Sequence, residues 1–324
     1  MKLFIQIPCL NEAEFLPATL KALPRKVEGF DEVYWLVIDD GSSDNTAEVA
    51  LSNGVDYVVR FSHNQGLASA FQAGVDACLK LGADVIINTD ADNQYDASAI
   101  PALVKPILDG VADVVVGDRD TKNVKEFSWL KRKLQTFGTS VVQNFSGVPV
   151  TDATSGFRAF DRDAAMQINL VSKFTYTIES LIQVNEASLA LTNTPVKRND
   201  SVRPSRLFGS TWKYIRRNAW TMMRIYVQYR PLKLFMPLGG MLFLLSLIAF
   251  LPWLVDNLNP PSTPHIQSVI VGAVLFLSAI QVILFGVIAD SIYSVRSLTS
   301  KTLKRVRDVE LKVGVEPPVL KKRG

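Results

Sequence analysis

The sequence holds little that could serve thiol or imidazole chemistry. Its 324 residues include two cysteines, Cys9 and Cys78, and two histidines, His63 and His265, with no CxxC pair and no ligand-spaced histidines. That excludes a disulfide scaffold and fits a reducing compartment. Neither GxGxxG nor GxxxxGK[ST] occurs, which disfavours a dinucleotide oxidoreductase or a P-loop NTPase. Charge is missing too: residues 234–289 carry a single charged side chain, Asp256. A hydrophobic content of 48% then argues against a disordered chain and requires apolar sequence to be concentrated somewhere.

Length allows one large domain with appendages or two domains. The formal net charge of +4 hides a strong division along the chain. Residues 1–196 hold 16 basic against 25 acidic side chains, 197–233 hold 10 against 1, and 290–324 hold 9 against 4. The chain is therefore an acidic head, a basic neck, an uncharged stretch and a basic tail.

Within that stretch, 234–255 and 266–289 are runs of 22 and 24 residues without an ionisable side chain. At ~1.5 Å per residue they reach about 33 and 36 Å, enough to cross a hydrocarbon core of ~30 Å. They predict a transmembrane hairpin. Its loop, 256–265, has no Lys or Arg, whereas Arg224, Arg230 and Lys233 precede the first span and Arg296, Lys301, Lys304, Arg305 and Arg307 follow the second. The positive-inside rule predicts an integral membrane protein with head and both termini cytoplasmic. Nothing at the start resembles a cleaved signal peptide, since a strand-like run at 3–7 is followed at once by Pro8.

In the head, short β-branched runs at 3–7, 35–38, 57–59, 84–87 and 114–116 alternate with amphipathic stretches around 13–23, 45–53, 67–81 and 97–109. The pattern predicts an α/β fold with a mostly parallel, doubly wound sheet. Ligands of such sheets bind beyond the carboxyl ends of the strands. Pro8-Cys9-Leu10-Asn11-Glu12, Asp39-Asp40-Gly41-Ser42-Ser43-Asp44 and Asn88-Thr89-Asp90-Ala91-Asp92-Asn93-Gln94 follow three of these runs. Repulsion among Asp39, Asp40, Asp90 and Asp92 must be offset by a cation or by hydrogen-bond donors, which suggests a divalent metal on oxygen ligands.

Phosphates in such a crevice need side-chain cations, and the arginine fork suits them. Candidates are Arg119, Arg132, Arg158 and the Arg203-Pro204-Ser205-Arg206 turn. His63 reads as a loop residue near the crevice, Cys9 as a small packing residue, and Gly239, Gly240 and Gly272 as points of close helix contact. The neck, 212–230, interleaves Trp212, Tyr214, Trp220 and Tyr226 with Lys213, Arg216, Arg217, Arg224 and Arg230, the composition of a helix lying among lipid headgroups.

Taken as an ordered set, IPCLNE, VIDDGSSDNT, the Asn64-Gln65-Gly66 turn, TDADNQYD, Gly117-Asp118-Arg119, TSGFRAF and the apolar hairpin resemble family 2 glycosyltransferases of the GT-A fold. They are most similar to the polyprenyl-phosphate branch, which includes dolichol-phosphate mannose synthase and bacterial undecaprenyl-phosphate sugar transferases. The resemblance implies a Rossmann-like GT-A domain over 1–210, a basic amphipathic helix over 211–233, transmembrane helices within 234–289 and a basic tail over 290–324. It implies Mg2+ or Mn2+, a UDP- or GDP-linked sugar donor, inverting transfer to a polyprenyl phosphate, contact with membrane lipids and no nucleic-acid partner.

Carried onto matching positions, Pro8, Glu12, Asp39 and Asp40 would hold base and ribose, with Leu10 where many relatives place an aromatic under the base and Leu67 where many are basic. Asp90, Ala91, Asp92 and Gln94 would address metal and donor phosphates. Arg119, Arg132 and Arg206 would oppose the donor diphosphate and acceptor phosphate, and Asp152 would stand beside the acceptor. A phosphate monoester is already nucleophilic at neutral pH, so Asp152 is expected to position rather than deprotonate. Two spans bury little surface against each other, so a homo-oligomer is expected, with a tetramer implied by similar bacterial proteins. The alternatives are a glycosyltransferase acting on a hydroxyl acceptor and a non-catalytic membrane adaptor. A processive polysaccharide synthase lacks support because QxxRW is absent.

Overall fold

The computed structural model describes residues 1–119, 149–170, 176–199, 223–224, 227–258, 265–317 and 320–322. Two compact units emerge, Met1–Arg206 with Lys301–Gly324, and Leu207–Ser300.

The first unit is built on an eight-stranded sheet. Its central strand β1 (Lys2–Cys9) is apolar apart from Lys2 and Gln6, and seven of its eight residues are buried, as expected of a parallel strand covered on both faces. β1 pairs in parallel with β2 (Glu32–Asp39) on one side and β4 (Val85–Asn88) on the other. β3 (Tyr57–Arg60) extends the sheet beyond β2. On the far side, β6 (Arg158–Asp161) runs antiparallel between β4 and β5 (Val114–Asp118), and β7 (Leu191–Pro195) is parallel to β5. β8 (Leu320–Lys322) caps the edge of β3 in antiparallel pairing.

The five expected strands and the mostly parallel arrangement are present. Helices α1 (Leu16–Ala22), α2 (Thr46–Ser52), α3 (Leu67–Lys80) and α4 (Ile100–Leu108, entered through a 3-10 turn at Ala97–Ala99) occupy the expected stretches. α5 (Arg162–Gln167) follows β6, and α6 (Thr177–Glu186) precedes β7. The register decides what meets at the site. Cys9 stands beside Asp39, Gln6 beside Asn88, and Asn88 beside Arg158, so the ends of β1, β2 and β4 and the start of β6 share one end of the sheet.

Residues 301–317 and 320–322 belong to this unit as well. Arg307 donates to the Met166 and Ile168 carbonyls at 3.1 and 2.8 Å and pairs with Asp76 at 2.9 Å, while Lys80 pairs with Glu310 at 3.4 Å.

The second unit contains α7 (Pro231–Leu258) and the body of α8 (Ile266–Val313). Small residues let the two helices touch: a Cβ added to Gly239 would lie 2.5 Å from Ile283, and one on Gly286 would lie 2.8 Å from Phe235. Ser246 satisfies its buried hydroxyl on the Gly272 carbonyl at 2.9 Å. The remaining faces present apolar side chains outward, with Leu244, Ile248 and Leu277 at 61%, 64% and 60% exposure.

Candidate active site

Two loops form one wall. Asn11, in left-handed conformation at φ 55, donates its N–H to the Ser42 hydroxyl at 2.9 Å and accepts the Ser43 N–H on its side-chain oxygen at 2.8 Å. Glu12 and Ala13 donate their N–H groups to Thr46 and Asp44 at 3.0 and 3.2 Å. The segment after β1 is thereby stitched to the segment after β2, with Pro8 and Glu12 buried and Leu10 exposed beside them.

Asp39 and Asp40 are both buried, and their charges meet donors. Asp39 Oδ1 accepts the Ser42 N–H at 2.8 Å, and its Oδ2 faces Arg60 Nε at 3.2 Å. That contact is not a directed hydrogen bond, and among the described residues no hydrogen-bond donor reaches Asp39 Oδ2. Asp39 Oδ2 is therefore buried beside the Arg60 charge without a hydrogen-bond donor of its own among these residues. Asp40 turns away, taking the Gln65 and Gly66 N–H groups at 2.7 and 3.0 Å. Burial pushes its pKa up against those two hydrogen bonds. Gly41 is obligatory in this corner, because at φ +70 its Cβ would lie 2.4 Å from the His63 backbone.

The second wall follows β4. Asp90 is half-buried, and burial first, then the like charge of Asp92, push its carboxyl up to about 6. Asp92 is held by Gln94, whose side-chain amide donates at 2.6 Å and whose backbone N–H donates at 3.3 Å. Ala91 is buried and its carbonyl accepts the Thr19 hydroxyl at 2.7 Å. Donors thus compensate Asp39 and Asp40, whereas Asp90 and Asp92 repel each other. Among the described residues no three His, Cys, Asp or Glu side chains converge as a metal cage. Two oxygen-bearing carboxylates with the Gln94 amide nevertheless fit a magnesium-type ion, which takes one or two protein carboxylates and completes its shell from water and substrate phosphates.

Arg119 and Asp152 form the third element. Nε donates to Oδ2 at 2.7 Å and Nη2 to Oδ1 at 3.0 Å, and Nη2 also reaches the Thr154 hydroxyl at 2.9 Å. Although burial opposes ionisation of Asp152, the Arg119 guanidinium outweighs it and holds the carboxyl below its ordinary value. Burial likewise works against the charged guanidinium, but Tyr95 and Asp152 raise its pKa overall.

Tyr95 and Asn88, absent from the candidate set, join these pieces. The Tyr95 hydroxyl accepts the Gly156 N–H at 2.8 Å, and Asn88 donates to the Gly156 carbonyl at 2.8 Å. A Cβ on Gly156 would lie 2.6 Å from the Tyr176 hydroxyl and 2.9 Å from Asp90 Oδ1. Only glycine admits the Asp90 carboxylate so close. The Tyr95 ring stacks on Phe157 at 5.1 Å and faces Arg119 at 5.7 Å.

Of the other candidates, Arg158 is fully buried in neutral oxygens and cannot meet a phosphate. Cys9 is buried with its thiol pKa pushed up by desolvation, as befits a packing residue. His63 is exposed in the loop, its Nδ1 3.1 Å from the Ser62 hydroxyl. Arg132 and Arg206, and most of the basic neck over 212–222, lie outside the described residues.

The description "Glycosyl transferase family 2" belongs to the family model that matches residues 4–168, half of the chain. The chain belongs to glycosyl transferase family 2. It is a sugar-transferring enzyme related to polyprenyl-phosphate sugar transferases, and residues 230–295 match the GtrB C-terminal hairpin. This family 2 glycosyltransferase is 32% identical to an undecaprenyl-phosphate mannosyltransferase of Micrococcus luteus, over 52% of the chain and 70% of the relative. It is 28% identical to a UDP-N-acetylglucosamine–dolichyl-phosphate N-acetylglucosaminyltransferase of Methanococcus voltae, over 60% of the chain and 84% of that protein. With glycosyltransferase AglJ of Haloferax volcanii it shares 26% identity over 94% of the chain and 97% of the relative. Glucosyl-3-phosphoglycerate synthase of Mycobacterium tuberculosis, solved with Mn2+, UDP-glucose and phosphoglyceric acid, superposes with a TM-score of 0.52 at 18% identity, covering 68% of this chain and 79% of that one. That likeness is one of fold.

Proposed function

We propose that this glycosyltransferase moves one sugar from a UDP- or GDP-linked donor to a polyprenyl phosphate at the cytoplasmic face of a membrane, with inversion at the sugar carbon. The observation that carries the lipid acceptor is the hairpin. Two long helices pack on each other through glycines yet turn leucines and isoleucines outward. Core helices of a soluble protein bury those faces, and lipid accommodates them. The match of the same residues to a GtrB-type hairpin supports the reading, as do the lipid-phosphate acceptors named for the Micrococcus and Methanococcus relatives.

In this reading Glu12 and Asp39 orient the nucleoside. Asp90, Asp92 and Gln94 hold a Mg2+ or Mn2+ ion, which when bound offsets charge on the departing diphosphate. Arg119 presents a guanidinium toward the phosphates while Asp152 fixes its plane. Asp152 is thereby occupied as an anchor, which suits a phosphate acceptor already ionised near neutrality. Arg132 and Arg206 supply further cations to the two phosphate groups. The basic neck draws the head to anionic lipid, the hairpin anchors it, and assembly into a homo-oligomer buries further helix surface.

The test incubates detergent-purified protein with a panel of labelled nucleotide sugars, Mn2+ and undecaprenyl phosphate, and follows label into the lipid phase. Lipid-linked sugar accompanied by free nucleoside diphosphate is the expected result. Transfer to 3-phosphoglycerate or to a polysaccharide hydroxyl in its place would sink the proposal.

A further inference from the structure

Arg158, in the TSGFRAF motif, is the largest fully buried side chain among the described residues and is absent from the mechanism above. It opens β6 at the site end of the sheet, in register with Asn88 and Val116. Its guanidinium reaches two separate pieces of chain. Nε donates to the Ser155 carbonyl and Nη2 to the Ala153 carbonyl, each at 2.9 Å. Nη1 donates to the Thr177 carbonyl and to the Ser180 hydroxyl, each at 2.7 Å. The first pair lies in the segment joining Asp152 to β6, and the second lies in the first turn of α6. Four donors of a rigid fork are thus committed to neutral oxygens. Burial pulls the Arg158 pKa down to about 10, which leaves the group charged at neutral pH. A lysine ammonium has three donors and no plane, so it cannot span these four oxygens together.

We propose that Arg158 is a positioning residue for phosphate handling: by tying the Ala153 and Ser155 carbonyls to the head of α6 it fixes the loop that carries Asp152, and through Asp152 the plane of the Arg119 fork. This rests on the reading of Arg119 and Asp152 as groups that serve the transferring phosphates. Carbonyls at this depth need partners in any case. A neutral hydroxyl or amide could satisfy one or two of them, and the guanidinium is what locks two segments at once.

The experiment uses the full-length protein in detergent and compares Arg158→Lys and Ser180→Ala, alone and combined with Asp152→Asn, measuring kcat, donor KM and hydrogen exchange over 151–157. Ser180→Ala removes one acceptor of the fork and keeps the test alive where Arg158→Lys fails to fold. The expected result is a kcat loss of about tenfold in Arg158→Lys and about threefold in Ser180→Ala, with donor KM within about twofold of wild type. Both losses should shrink to less than about twofold in the Asp152→Asn background, because an amide there keeps only one oxygen for Arg119 and no longer fixes the plane of its fork. Losses that multiply with Asp152→Asn would overturn the proposal and leave a purely structural role. Exchange over 151–157 should quicken in Ser180→Ala. Unchanged exchange would overturn the proposal even if the wild type showed no transfer, an outcome that by itself counts only against the acceptor reading.

Discussion

Arg119 and Asp152 meet through two parallel hydrogen bonds of 2.7 and 3.0 Å, 33 residues apart in sequence and with the carboxylate 2% exposed. A fork-on-carboxylate pair of this kind fixes the guanidinium in plane as well as in place. Removing one partner leaves the other buried and unmatched, so Arg119→Met should destabilise the protein by about 3 kcal/mol. Thermal unfolding in detergent should show this as a fall of roughly 6–12 °C. The pH dependence follows from the depressed carboxyl of Asp152. Its contribution is present above the ordinary carboxylate pKa of ~4 and is lost as pH falls through the lower folded value. In Arg119→Met that acid-range loss should disappear. An unchanged acid limb would show that the pair is not the group being titrated.

The same pair orders two losses of activity. Asp152→Asn keeps an oxygen for Arg119 and should lower kcat by less than the roughly 100- to 10,000-fold typical of removing a general base. Asp92→Asn, which takes charge from the Asp90–Asp92 couple, should cost more. Initial rates of lipid-linked sugar formation for the two variants decide the order. The reverse order would indicate a hydroxyl acceptor, whose proton does need a base.

Asp90 carries a second pH signature, opposite in sign. Its carboxyl, raised to about 6 by burial and by Asp92, holds its proton in the folded state over a range where the unfolded chain has released it. Stability from this group is therefore greatest below ~4 and declines as pH rises through about 6. Metal-free protein should lose thermal stability from pH 4 to 6 and level off above, and Asp90→Asn should flatten that slope. A divalent ion competes with the proton, so stabilisation by millimolar MnCl2 should grow between pH 5 and 7 in the wild type and be absent in Asp90→Asn. Equal stabilisation in both proteins would remove Asp90 from the ion's site.

How much of this was legible beforehand depends on sequence distance. Asp90, Asp92 and Gln94 lie within five residues, so a short motif displays them, and the strand ends that bring Glu12 and Asp39 alongside follow from the alternation of β-branched and amphipathic runs. A charged residue next to Phe157 carries no mark of its burial, so the sequence alone offers Arg158 as a phosphate ligand. Tyr95 gives no signal either, since an aromatic after a polar loop reads as ordinary core. Its hydroxyl contact with Gly156 spans 61 residues, and β6, only four residues long, is too short for its alternation to register.

Tyr95→Phe isolates that missed hydroxyl. The substitution keeps the ring stacked on Phe157 and leaves the Gly156 N–H without its acceptor, a loss of about 1–3 kcal/mol for a buried group. The same hydroxyl lowers the Asp90 pKa, so the midpoint of the decline in stability that begins above pH ~4 should move upward in the variant. Thermal unfolding across pH measures both effects. A variant with wild-type stability and an unmoved midpoint would show that the hydroxyl is dispensable to either wall.

The C-terminal segment is the last place where sequence and structure part. Residues 301–322 read as a basic tail, yet Arg307 satisfies two carbonyls at the end of α5 and pairs with Asp76, and β8 covers the edge of β3. An uncovered edge strand offers unpaired N–H and C=O groups to other chains, and the final carbonyls of a helix need partners. Deleting 301–324 should therefore lower the thermal midpoint of the catalytic unit and shift it toward aggregates in size-exclusion chromatography, with Tyr57–Arg60 as the newly exposed strand. Arg307→Met should reproduce the loss of stability without the aggregation, since β8 remains in place. Aggregation of the point variant to the same extent would mean that the tail is held by Arg307 alone and that the strand follows it passively.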